Sequence, residues 1–217
     1  MGWLTRSLSS SIGKKYLMAL TGIFLIIFLV IHLIGNLQLY AGKEAFNAYV
    51  AVLSSVKPIV RVIELVLALG FFIHILYGLR LWIANKKARP GRYAVNAGSQ
   101  NSDVFSRTTL VSGSIIFIFL VFHLAHFWYP YNFHTTSLTL YDIVVGWFHI
   151  PLYSIFYIIA CSLLAYHLNH GFQSAFQTFG WNNSKYFPII KAVGLIYTLL
   201  MAIGFGSIPI YYLLGGN

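Results

Sequence analysis

Apolar stretches of helical length fill this chain, and polar residues separate them at long intervals. Five such stretches stand out, at residues 16–39, 62–84, 110–129, 150–172 and 188–214. Each is long enough to cross a hydrocarbon core, which takes roughly 20 helical residues. Lipid offers no partner to an open strand edge, so helices are the expected form. The pattern predicts an all-α fold: an integral membrane five-helix bundle forming one domain over residues 1–217. Many of the 18 glycines fall within the spans, which suits close helix packing. The longest connection, residues 86–107, is polar and rich in turn residues, and some structure of its own is expected there. The first span is too long for a signal peptide and lacks a small-residue cleavage region, so it is expected to stay as an anchor.

Composition agrees with this pattern. The chain is 59% hydrophobic and only 8% charged, against about 25% charged in soluble domains, and its mean hydropathy is +0.76. A net charge of +10 raises the question of nucleic acid, but the distribution of the bases argues against it. Arg6, Lys14 and Lys15 precede the first span. Arg80, Lys86, Lys87, Arg89, Arg92 and Arg107 lie at or between the second and third, and Lys185 and Lys191 surround the connection from fourth to fifth. All these belong to one side. The other side holds Lys43, Lys57 and Arg61 together with Glu44, Glu64 and Asp142. The positive-inside rule then sets the N-terminus inside and the C-terminus outside. A basic inner face also attracts anionic membrane lipid or an acidic partner. The single cysteine, Cys161, leaves no disulfide framework, no iron–sulfur ligand set and no covalent haem attachment motif.

Histidine is the feature that hydropathy does not explain. FLVIHL (28–33) recurs ninety-one positions later as FLVFHL (119–124), and four of the five spans contain at least one of the eight histidines. Ionisable side chains at membrane depth are costly and mark function by default. Counting residues from the outer boundary at 1.5 Å each puts His32 at roughly 12 Å, His123 at roughly 10 Å, and His74 and His167 at roughly 24 Å. Two imidazoles thus fall at an outer level and two at an inner one, on four different helices. Opposed nitrogens at one depth, without thioether attachment, are what a bis-imidazole b-type haem requires, and such ligation suits electron transfer. The reading is two haem b groups stacked across the bilayer, with His32 and His123 holding the outer and His74 and His167 the inner. His126 and His170, each three residues beyond a proposed ligand, share that ligand's face. The repeated context favours His123 over His126, whereas depth alone leaves His167 and His170 open. His134 and His149 fall among Trp128, Tyr129, Tyr131, Tyr141 and Trp147, which read as an interfacial aromatic belt. Gly35, Gly70, Gly78 and Gly171 lie on ligand faces and make room either for a macrocycle or for close helix packing.

Three longer stretches resemble one known family: SSSIGKKYLMALTGIFLIIFLVIHLIGNL near the start, GKEAFNAYVAVL after the first span, and YHLNHGFQSAFQTFG at the end of the fourth. The chain is similar over nearly its whole length to the single-chain, five-helix cytochrome b558 anchor of succinate dehydrogenase and fumarate reductase. The resemblance implies the same four ligands, His32, His74, His123 and His167, with His170 in the family's polar position. It implies flavoprotein and iron–sulfur subunits as partners on the inner side, and a quinone, usually menaquinone, as the substrate near the outer face. It also implies residence in a prokaryotic cytoplasmic membrane. The chain is then the membrane subunit of an enzyme, and no flavin or succinate site is visible in its own sequence. Glu64, ten residues outward from His74, is the candidate quinone residue; Glu44 reads as a solvated loop charge. A glutamate that some members carry two residues before the fourth ligand is here Ala165. Arg80, Asn36, Gln38 and Lys43 are candidate propionate donors. Two other readings remain: a dihaem b anchor of another dehydrogenase, and a histidine-based proton channel or transporter, which the scarcity of acids disfavours.

Overall fold

The computed structural model describes residue 2, residue 6 and residues 10–88, 108–133 and 137–216. Arg89, Arg92, Arg107 and His134 lie outside the described residues. All regular elements among the described residues are helical. Helix α1 (Ser11–Leu37) tightens into a 3₁₀ turn, Gln38–Ala41. Helix α2 (Lys43–Ser55) follows, then α3 (Lys57–Lys87). Helix α4 (Thr109–His123) runs through a π turn, Leu124–Trp128, into the short α5 (Tyr129–Phe133). Helices α6 (Leu140–Phe148), α7 (Pro151–Thr178) and α8 (Phe187–Leu213) complete the chain. Five rods are long and apolar enough to cross a membrane: Ser11–Ala41, Lys57–Lys87, Thr109–Phe133, Pro151–Thr178 and Phe187–Leu213.

These match the five stretches read from hydropathy, mostly extended at their ends because helices are capped in polar flanks that hydropathy does not count. Ser10 Oγ accepts the Gly13 N–H at 2.9 Å and starts α1. Pro58, Pro151 and Pro188 sit in the first turns of α3, α7 and α8, where a missing N–H costs no helical bond. Gly42 (φ 89°) separates the 3₁₀ turn from α2, and Gly180 (φ 83°) follows α7. Both conformations disfavour any residue with a Cβ.

Helices α7 and α8 pack most extensively; α1 lies against α3, α7 and α8, and α7 against α4, while α3 and α4 barely meet. Close approaches between the helices rest on glycine, Gly70 and Gly194 among them. A Cβ on Gly70 of α3 would lie 2.7 Å from the Phe24 ring of α1, and one on Gly194 of α8 would lie 2.8 Å from Phe172 of α7. Much of the remaining surface is apolar: Leu65 is 71% exposed and Ile203 68%. Water would penalise that surface, whereas lipid tails accept it.

One end of the bundle is closed by protein. Helices α2 and α6 fold over it, burying Phe46, Tyr141, Val144 and Phe148 with Leu39, Tyr157, Ile208 and Tyr212 in one cluster. Tyr212 is 1% exposed, and its hydroxyl donates to Leu39 O at 2.9 Å. Tyr141, expected in an interfacial belt, is therefore a core residue. The belt reading missed it because α6 is a short amphipathic helix hidden between two spans.

A polar clasp joins the two capping helices. Lys43 Nζ lies 2.7 Å from Asp142 Oδ1, and Asn47 Nδ2 donates to Thr139 Oγ1 at 3.2 Å. Thr139 and Asp142 form a capping box at the start of α6. The hydrogen bond from Lys43, with those from the Thr139 N–H and hydroxyl, holds the Asp142 carboxyl below its ordinary value; the same bond raises Lys43. A depressed carboxyl contributes stability above its unfolded value and loses it as pH falls through the folded one. In thermal unfolding in detergent, Thr139→Ala should cost about 1 kcal/mol through the lost cap. Asp142→Asn should destabilise at neutral pH, and its difference from the parent should shrink as pH drops below 3.8, the ordinary value.

Candidate functional site

Four imidazoles face one another in two pairs inside the bundle. His32 of α1 and His123 at the end of α4 have ring centres 5.8 Å apart with planes at 86°. His74 of α3 and His167 of α7 have centres 6.4 Å apart with planes at 75°. The two levels can be measured along either of two helices. Thr21 of α1 touches His74 while His32, eleven residues on, meets His123. Ser112 of α4 touches His167 while His123, also eleven residues on, meets His32. Eleven residues of helix rise roughly 16 Å. The His32/His123 pair lies toward the α2/α6 end.

Each ring has defined neighbours. Thr21 Oγ1 lies 3.2 Å from His74 Nδ1, and Ser112 Oγ 3.3 Å from His167 Nδ1. The backbone comes close beside both: a Cβ on Gly22 would lie 3.5 Å from His74 Cε1, and one on Gly113 3.4 Å from His167 Cε1. A Cβ at either position would rest in ordinary van der Waals contact with the imidazole. At the other level, Tyr157 OH lies 3.3 Å from His123 Nδ1 and receives a hydrogen bond from Tyr153 at 3.2 Å. Asn36 Nδ2 donates to His32 O at 2.8 Å and lies 3.4 Å from both ring nitrogens of His32. Phe28, Phe119, Phe127 and Phe205 surround this pair.

The remaining described histidines do not join these pairs. His126 lies in the π turn, bonds Phe122 O of its own helix at 2.8 Å, and packs on Trp147 and Tyr153. His170 Nε2 is 3.2 Å from Ser174 Oγ on its own helix. His149 caps the C-terminus of α6 near Tyr212. Of the glycines read on ligand faces, Gly35 opposes Tyr49, Gly70 opposes Phe24 and Gly78 opposes Met18. These three serve helix packing; those beside imidazoles are Gly22 and Gly113, which sit on the helix facing the ligand rather than on its own.

Glu64 belongs to a four-residue network. Arg61 Nη1 donates to Glu64 Oε2 at 2.6 Å, and Trp128 Nε1 donates to Glu64 Oε1 at 2.9 Å. Arg61 Nη2 also reaches Asn132 Oδ1 at 2.6 Å, and Asn132 Nδ2 donates to Trp128 O at 2.7 Å. The network ties α3 to the π turn that follows His123. Such a turn rotates all that lies beyond it relative to a regular helix, so His123 can face α1 while Trp128 faces α3. Arg61 stands three residues before Glu64 on one helical face, a spacing that announces the ion pair; nothing in the sequence announces Trp128. Glu44 is exposed in the first turn of α2. Of the candidate propionate donors, Lys43 is engaged by Asp142, and the Arg80 guanidinium lies 5.5 Å from the Tyr77 ring.

The fold and the paired imidazoles define a class: a multi-pass helical membrane protein with two facing histidine pairs at two depths. Comparison with known proteins adds a family likeness over the first part of the chain. Residues 16–94, which span most of α1 and all of α2 and α3, match the family model described as the succinate dehydrogenase/fumarate reductase transmembrane subunit. The match falls on the first two membrane-spanning helices and the short helix between them. No curated protein and no solved structure matches the chain.

The Glu64 network makes a measurable claim about coupling. Arg61→Ala leaves a carboxylate without its cation and should lower the unfolding temperature more than Trp128→Phe does. In a double-mutant cycle, Arg61→Ala with Glu64→Gln should fall short of additivity by roughly 0.5 kcal/mol or more. Additive losses would show that the two side chains act independently.

Proposed function

We propose that this chain is the membrane anchor and dihaem electron-transfer subunit of a succinate dehydrogenase or fumarate reductase, working between an iron–sulfur subunit and a membrane quinone. The observation that carries this reading is the pair of facing imidazoles at each of two depths, supplied by four different helices. His32 and His123 would hold one haem b, and His74 and His167 the other. The residues present fit that group. Two imidazoles binding one metal from opposite sides, each nitrogen about 2 Å away, have ring centres roughly 6 Å apart; the separations here are 5.8 and 6.4 Å. No group of three or more metal-ligating side chains occurs among the described residues, and each pair offers two nitrogens, as an iron already held by a macrocycle needs. When bound, the haems would supply one-electron transfer along the bilayer normal.

The side chains of this protein would do the rest. Phe28, Phe119, Phe127 and Phe205 keep water from the pair nearer the cap. Lys14, Lys15, Lys86 and Lys87 crowd the opposite end, and the positive-inside rule assigns that end to the cytoplasm. The N-terminus is then inside a prokaryotic cytoplasmic membrane and the C-terminus outside, with the flavoprotein and iron–sulfur subunits docked on the basic face. Quinone, menaquinone by the resemblance, would react toward the capped end. Glu64 is the proposed proton-exchanging group there. Both its oxygens already accept a hydrogen bond, from Arg61 and Trp128, and each has a further lone pair with which to accept.

A reduced-minus-oxidised spectrum with a haem count tests the reading. The purified protein should contain two b-type haems. His74→Ala and His167→Ala should each leave one, as should His32→Ala and His123→Ala, while His126→Ala and His170→Ala should keep both. A colourless, haem-free preparation would contradict the proposal and favour a channel or transporter.

A further inference from the structure

The two histidine-bearing helices that start each half of the bundle repeat more than their ligands. TGIFLIIFLVIH (21–32) and SGSIIFIFLVFH (112–123) align without a gap. In each, a hydroxyl–glycine step stands eleven residues before the histidine. Each step receives an imidazole from the next membrane span: Thr21 and Gly22 take His74, and Ser112 and Gly113 take His167.

Each hydroxyl also has a backbone partner on its own helix. Thr21 Oγ1 donates to Leu17 O at 2.8 Å, and Ser112 Oγ donates to Thr109 O at 3.1 Å. A hydroxyl has one proton to give, and in both residues a carbonyl of the same helix takes it. Toward the ring each oxygen therefore acts as an acceptor. An imidazole that binds iron through Nε2 carries its proton on Nδ1, and in His74 and His167 that N–H then points at the Thr21 and Ser112 oxygens. The other pair lacks this arrangement. There Tyr157 OH, which accepts from Tyr153, lies 3.3 Å from His123 Nδ1, and Asn36 Nδ2, which donates to His32 O, lies beside the His32 ring.

We propose that Thr21 and Ser112 are positioning residues that fix the Nδ1–H tautomer of His74 and His167 and thereby set the midpoint potential of the haem these two would hold. The proposal rests on the haem reading above. An imidazole whose N–H donates is the more basic ligand, and it stabilises the oxidised metal. Removing the acceptor should therefore raise the potential.

The test is an equilibrium redox titration of the assembled complex, followed by haem absorption. Thr21→Val and Ser112→Ala should each raise the midpoint of one of the two haem components and leave the other in place. The double variant should shift the same component further, and Thr21→Ser and Ser112→Thr should return it to the parent value. Two haems with unmoved midpoints in Thr21→Val and Ser112→Ala, or an equal shift of both components, would overturn the proposal. If Thr21→Val loses one haem outright, retention by Thr21→Ser supports the hydroxyl's role, and loss in Thr21→Ser as well refutes it. A parent complex without haem overturns the underlying reading, and this one with it.

Discussion

An imidazole inside a lipid-embedded bundle must find a partner for each of its nitrogens, and the architecture follows from how four such rings are satisfied. An unpaired polar group in hydrocarbon costs several kcal/mol, so histidines at membrane depth restrict which helices can be neighbours. Here α1 receives one ring from α3 and faces a second on α4, while α4 receives one from α7. The order of packing, with α1 and α7 in contact and α3 and α4 nearly apart, brings four helices around two histidine pairs rather than around a continuous apolar core.

The two ends of the bundle divide the remaining work. Helices α2 and α6 close one end with aromatic residues and a Lys43–Asp142 clasp. The other end carries the lysines of the α1 and α3 termini. The two ends thus differ in both cover and charge. The closed end excludes water next to the His32/His123 pair, and the basic end suits an acidic partner or anionic lipid. Glu64 stands at the boundary of the closed end, tied through Trp128 to the turn that follows His123.

Much of the fold was legible in the sequence because the membrane imposes a simple rule: a span must be apolar for about twenty residues. The levels of the four histidines followed from the fixed rise of a helix, counted from the prolines and tyrosines at the boundaries. Short elements were harder. Helix α6 hides in a stretch whose tryptophans and tyrosines look interfacial, and its burial of Tyr141 depends on Phe46 and Tyr212, both distant in sequence. Arg61 was counted as a surface base and Trp128 as belt, so the clamp on Glu64 went unseen. Thr21 and Ser112 were invisible for a different reason. A hydroxyl bonded to its own helix carbonyl is ordinary in a membrane span, and only the arrival of His74 and His167 from other helices gives it a second task. Of the two readings of the glycines, helix packing holds for Gly35, Gly70 and Gly78, while Gly171 meets nothing within 4 Å and the glycines beside the rings are Gly22 and Gly113.

The angle between facing imidazoles tests the central claim most directly. The imidazole planes cross near 86° and 75°; were each pair to hold a haem as proposed, its low-spin ferric form would be strongly anisotropic, a state that electron paramagnetic resonance distinguishes from one with parallel planes. The oxidised complex at low temperature should give two such low-spin signals, one lost with His32 or His123 and the other with His74 or His167. High-spin iron, the rhombic spectrum of parallel ligand planes, or no haem signal at all would contradict the account.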